Sequence, residues 1–246
     1  MLKTKCLELP LMTEQQIQAC MDLANTVSSP QCRTEYLKRR FSSYHSVLTA
    51  HDEQGLAAFQ LIQQFTRNDQ LFLYLGPLFS QRKAYLPMFL AAFDRWLAGN
   101  HGRTVHLMAE IQNPEILLVF KTLFFHTSYP ILHTAAIPPS VQETARIFAS
   151  RFDHISQLDT RNLSTRGEDS LYQSKKGTED ILAWMRSRGV HVERGDSQIL
   201  LLTAGGSLRE RHRIKADLLH GKMMLRQWRL FRPIMLRKFK EGILHG

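Results

Sequence analysis

The sequence has no long apolar run. Candidates such as residues 116–120 and 199–202 fall far short of the ~20 residues that a helix needs to cross a bilayer, so a helical membrane span is excluded. Cysteine is scarce. Cys6, Cys20 and Cys32 are odd in number and lack CxxC spacing, which argues against a disulfide scaffold and a thiolate zinc site. The eleven histidines form no HExxH, and no paired-carboxylate motif accompanies them, so no metal is expected. Residues 1–5 carry no apolar signal core. The expectation is a protein without a secretion signal, in a reduced cytoplasmic setting.

What is present is ordinary globular material. The 246 residues are 43% apolar and 22% charged, close to the roughly 45–50% and about 25% of folded proteins. That excludes disorder throughout and allows one large domain or two smaller ones. The net charge of +10 is uneven. Residues 207–246 hold eleven Lys/Arg against three Asp/Glu, a net of +8, whereas the first 206 residues carry only +2. The last forty residues are a basic appendage, which is either a solvated helix or a surface for an acidic partner.

Residues 5–9 read as a strand. Thr13-Glu14-Gln15-Gln16 has the form of a capping box, and Ile17, Cys20, Met21, Ala24 and Val27 follow at helical spacing, predicting a helix over 14–27 that Ser28-Ser29-Pro30 breaks. A basic helix is expected at 33–41. Strands at 46–50 and 56–65 flank the turn 51–55 as a hairpin. A strand at 71–75 is expected to end at Gly76-Pro77. A helix over 82–98, a strand at 105–111 and a helix opening at Asn113-Pro114 and running to about His126 come next. Further helices are predicted at 138–152 and 178–188, a loop at 157–178, and closing strands at 190–192 and 198–203. Strands and helices mix without strict alternation, which predicts an α+β fold with a mixed, mostly antiparallel sheet flanked by helices.

That order resembles the GNAT acyltransferase superfamily. Two segments carry the resemblance: the strand–loop–helix 71–86 and the strand–helix 105–125. It implies a GNAT-like domain over 3–205 and a basic amphipathic helical tail over 206–246. It also implies transfer of an acyl group from a CoA or acyl-carrier-protein thioester to an amine acceptor, without metal. The family's phosphate loop is glycine-rich; here the corresponding stretch holds Ser80, Lys83, Ala84, Tyr85 and Leu86. The family's acidic tyrosine falls on Phe120, leaving Tyr129 or water to protonate the thiolate.

In this frame Leu75, Gly76, Arg82, Lys83 and Asn113 are the expected donor-binding residues. Backbone N–H groups of Leu75 or Gly76 would hold the carbonyl, and the two cations would replace glycines at the phosphates. Glu110, ending an otherwise apolar strand, is the expected general base, and Tyr74 a polar group near the carbonyl. The competing readings are a core aromatic for Tyr74, a solvent-exposed strand end for Glu110 and a helix cap for Asn113. A scaffold that has lost its chemistry and binds an acidic partner is the alternative to an enzyme. In the tail, Met224, Trp228, Phe231 and Met235 recur at spacings of 4, 3 and 4, one face of a helix that Pro233 should kink. Residues 208–240 are expected to meet an acyl carrier protein or an anionic membrane surface. Charge also admits nucleic acid, for which no binding motif is present.

Overall fold

The computed structural model describes residues 2–27, 34–81, 83–134, 136–152, 157–167 and 176–244. The expected break at Ser28-Ser29-Pro30 and the residue Arg82 lie outside them. The chain divides into two units, Met1–Arg103 and Thr104–Gly246.

In the first unit, local hydrogen bonding starts the elements where the sequence places them. The Gln16 N–H donates to Thr13 Oγ1 (3.3 Å) and the Thr13 N–H to Gln16 Oε1 (2.9 Å), closing the capping box ahead of α1 (Glu14–Val27). Strands β1 (Lys3–Glu8), β2 (Ser46–Asp52), β3 (Gly55–Arg67) and β4 (Gln70–Ser80) pair in sequence as an antiparallel meander, with α2 (Thr34–Ser43) preceding β2. Asn68 and Asp69, both at positive φ, form the two-residue loop between β3 and β4. Helix α1 packs on β3 and β4, and α3 (Tyr85–Gly99) on β1, β2 and β3. Consecutive residues of the middle strands are buried, Ala57 to Ile62 in β3 and Phe72 to Gly76 in β4, so both faces are covered there.

Two expectations change here. Gly76-Pro77 does not end β4; the strand runs on to Ser80 through a bulge. Helix α3 starts at Tyr85 rather than 82, because Lys83 sits in the left-handed region (φ 56) in a turn that the Ala84 N–H closes on the Gln81 carbonyl (3.1 Å).

In the second unit, β5 (Val105–Ile111) pairs antiparallel along its whole length with β9 (Ser197–Ala204). Two short strands, β6 (Ser128–Tyr129) and β8 (Ser164–Thr165), also pair with β9, and β7 (Leu158–Asp159) pairs with β8. Helices α4 (Pro114–Leu123), α5 (Pro139–Ala149) and α6 (Glu179–Ser187) follow the sequence reading with shorter ends. The polar stretch expected as loop carries β7 and β8 because the Gln198 amide donates to the Asn162 and Leu163 carbonyls and binds that segment to the sheet. Residues 190–192 are not a strand. The His191 N–H turns to the Asp196 carboxylate (3.0 Å), and a 3₁₀ turn over Val192–Arg194 follows, ended by Gly195 at φ 89. The tail is two helices, α7 (Leu208–Arg226) and α8 (Trp228–Leu244), separated at Gln227, and Pro233 lies inside α8. Helix α7 packs on α4, and α8 on α6.

Every strand pairing described is antiparallel, with helices against the strands: an α+β architecture with a C-terminal helical pair.

Candidate functional site

The ladder between β3 and β4 has one irregularity. Ile62 faces Leu75 and Gln60 faces Leu78, so Gly76 and Pro77 together oppose Leu61. A bulge of this kind bends the strand and accommodates a proline, which has no N–H to pair. The Gly76 carbonyl accepts from Gln60 Nε2 (3.3 Å). A Cβ on Gly76 would lie 2.3–2.4 Å from the Tyr44 ring, so only glycine lets that ring rest on the backbone. Tyr44 also stacks on Tyr74, with centroids 6.1 Å apart and planes 25° apart, and the Tyr74 side chain is fully buried. The structure thus brings Tyr74 and Gly76 together under Tyr44, with Leu75 between them in the strand. Sequence reasoning missed Tyr44, which sits between α2 and β2 where no periodicity marks it.

Lys83 lies further along. With Asp52, Glu53, Gln54 and Pro87 it lines a pocket of about 380 Å³. Helix α3 begins beside it without a side-chain cap and without an acidic residue in its first turn. Pro87 removes one of the helix-start donors, leaving the N–H groups of Tyr85 and Leu86 at the positive end of the dipole.

The other candidates belong to the second unit. Glu110 is half-buried on β5, and its Oε1 accepts from the Thr165 hydroxyl (2.8 Å). His106, on the same strand, is buried with Nδ1 2.9 Å from Thr203 Oγ1; burial lowers its pKa to about 4, so the imidazole is neutral at pH 7. Asn113 caps α4, its Oδ1 accepting from the Glu115 N–H (2.9 Å). Phe120 and Phe124 are buried in the core, so the position of the family's phenol holds an apolar ring, and Tyr129 is half-buried on β6. Lys121 is another residue missed from sequence. It is fully buried, with Nζ donating to the Ser128 carbonyl and hydroxyl (both 2.9 Å) and to the Pro130 carbonyl (3.0 Å). Desolvation lowers its pKa to about 7, against the opposing pull of Asp217. The available signal was its place inside the apolar helix 114–123, four residues after buried Leu117. Among the described residues no three His, Cys, Asp or Glu side chains cluster as a metal site, and no helix is long and apolar enough to cross a membrane.

Along the chain the elements run strand, two helices, three strands, helix, strand, helix, then further helices and a closing long strand. That order resembles the order of elements in GNAT acyltransferases. No family model and no curated protein matches the sequence. Among solved structures, an acyl-CoA N-acyltransferase from Pseudomonas aeruginosa overlaps at 17% identity and a TM-score of 0.32, over 44% of this chain and 78% of that one. The NatC complex bound to Gag peptide and CoA overlaps at 15% identity and 0.35, over 49% and 81%. Escherichia coli ElaA overlaps at 13% identity and 0.34, over 56% and 93%. These overlaps are partial, and the GNAT-like description rests on the order of elements in this chain.

Proposed function

We propose that the chain transfers an acyl group from a thioester on a phosphopantetheine arm, carried by CoA or by an acyl carrier protein, to an amine. The observation that supports this reading is the β4 bulge, which interrupts the ladder at Gly76–Pro77 in the segment that carries the GNAT resemblance. In this reading the amine nitrogen attacks the thioester carbonyl carbon, forming the C–N bond and an oxyanion. Collapse breaks the C–S bond and releases a thiolate. The N–H of Leu75 or Gly76 holds the oxyanion, since Pro77 has none, and Tyr74, fully buried beneath Tyr44, backs that strand as a core aromatic. Glu110 takes the proton lost by the amine. Water protonates the thiolate, because Phe120 cannot. Arg82, Lys83 and Asn113 bind the donor, and residues 208–240 meet an acidic partner.

The test is thiol release from acyl-CoA and acyl-carrier-protein donors by the full chain over a panel of amines. Release that depends on the amine, and that falls about 10²-fold in kcat with little change in KM for the donor in Glu110→Gln, supports the assignment. Absence of turnover together with no donor binding by calorimetry overturns it in favour of a non-catalytic scaffold.

A further inference from the structure

The outward sides of the two tail helices combine apolar and cationic side chains. On α7, Leu219 (62% exposed) and Met223 (58%) are one turn apart on the solvent side, with Leu208, Lys215 and Arg226 on the same side. On α8, Leu230 (68%) and Ile234 (40%) are likewise one turn apart, flanked by exposed Arg229, Arg237 and Lys240. The inward residues of these helices are already committed. Met224, Met235 and Phe239 are buried, and Arg232 bonds to Glu115 (2.7 Å) and to the Gly177 carbonyl (2.8 Å). The exposed leucines, methionine and isoleucine are therefore not the core-facing stripe of an amphipathic helix. They are a second apolar set on the polar side.

The charge of that side has one sign in excess. Of the tail's three carboxylates, Asp217 is buried and accepts from the His126 and Thr127 N–H groups and the Thr127 hydroxyl, Glu210 accepts from the Ser207 hydroxyl (2.6 Å), and Glu241 lies 3.3–3.4 Å from Lys238 and Arg237. Against them residues 207–246 carry eleven Lys/Arg, of which Arg211 is buried and Arg232 turns inward, while Lys215, Arg226, Arg229, Arg237 and Lys240 are exposed.

We propose that the outward faces of α7 and α8 dock the protein on an anionic lipid bilayer. Charge complementarity names an acidic occupant, and the apolar set selects a bilayer among acidic occupants. A partner held by charge alone would leave Leu219, Met223, Leu230 and Ile234 in water. An acidic membrane takes them below its headgroups while the long Lys and Arg stems lie along the apolar boundary with their charges among the phosphates. Docking uses none of the residues assigned to acyl transfer.

The experiment is sedimentation of the full chain with vesicles of phosphatidylcholine alone and of phosphatidylcholine containing about 30% phosphatidylglycerol. Binding to the anionic vesicles, absence of binding to the zwitterionic ones, and release on raising salt well above about 0.1 M are expected. Arg226→Gln and Arg229→Gln should each lower the partition coefficient about fivefold. Leu230→Ser with Ile234→Ser should lower binding to the anionic vesicles at low salt. All four positions face water, so thermal unfolding should match the unsubstituted protein and separates lost binding from lost folding. Equal binding to both vesicle types, or none to either, overturns the proposal. So does capture of an acidic acyl carrier protein by a chain that ignores the vesicles.

Discussion

Lys121 is a residue whose burial sets a pH dependence. Its ammonium is fully enclosed and bonded to three neutral oxygens, and desolvation lowers its pKa to about 7 from the 10.5 of an exposed lysine. Between those values the unfolded chain binds more protons than the folded one, so unfolding free energy rises with pH across that window. Below about pH 7 both states are protonated and the burial cost is fully present. Urea unfolding of the full chain should therefore show stability increasing from near neutral pH toward about pH 10. Lys121→Met should lose that increase. The variant also strips the Ser128 and Pro130 carbonyls of their donor, a cost of about 1–3 kcal/mol where no water replaces it, so the slope with pH and not the absolute stability is the diagnostic. Parallel pH profiles for the two proteins would contradict the assignment.

At the scale of elements, what was legible in the sequence is what local chemistry decides. The capping box opening α1, the Asn113 cap on α4 and the apolar strand 105–111 each depend on residues within a few positions of one another, and each appears where expected. What was not legible depends on distant partners. The bulge at Gly76–Pro77 needs Leu61 across the ladder, and β7 and β8 need Gln198. Of the candidate site, Tyr74 and Gly76 could be named from sequence, whereas the Tyr44 ring that covers them could not. Close helix approach is another distant effect. Gly221 of α7 lies against α4, and a Cβ there would meet the Leu123 Cα and the Thr122 carbonyl oxygen at 2.5 Å, both backbone atoms that cannot swing away. Alanine is intrinsically the better helix former by about 1 kcal/mol, yet Gly221→Ala should destabilise by about 1–3 kcal/mol through overpacking. Gly99→Ala, at the end of α3 with nothing within 4 Å of its Cβ, should be neutral or slightly stabilising. A thermal unfolding pair in which both substitutions behave alike would show that α7 yields where the geometry says it is held.

At the scale of the whole molecule, the tail has an inward side that belongs to the second unit's core and an outward side that does not. Inward, Trp184 of α6 packs edge-on to Phe239 (centroids 5.3 Å apart), its indole N–H reaches the Leu132 carbonyl (3.3 Å), and Gly242 leaves room for both. Ile214, Leu218, Met224, Met235 and Phe239 are all buried. At about 1.5–3 kcal/mol for each fully buried side chain these contribute on the order of 10 kcal/mol as an upper estimate, comparable to the entire 5–15 kcal/mol stability of an ordinary domain. The large positive charge therefore rides on an element the unit needs in order to fold. Deleting 207–246 should strip α4 and α6 of their cover, shift Trp184 emission to the red and produce aggregation or loss of a cooperative transition. Neutralising the outward cations Arg226, Arg229 and Arg237 should leave the melting temperature within a degree or two, since exposed charges contribute little to stability. A truncated chain that melts cooperatively at the full-length temperature with Trp184 emission unshifted would mean that the helices lie on the second unit without supporting it.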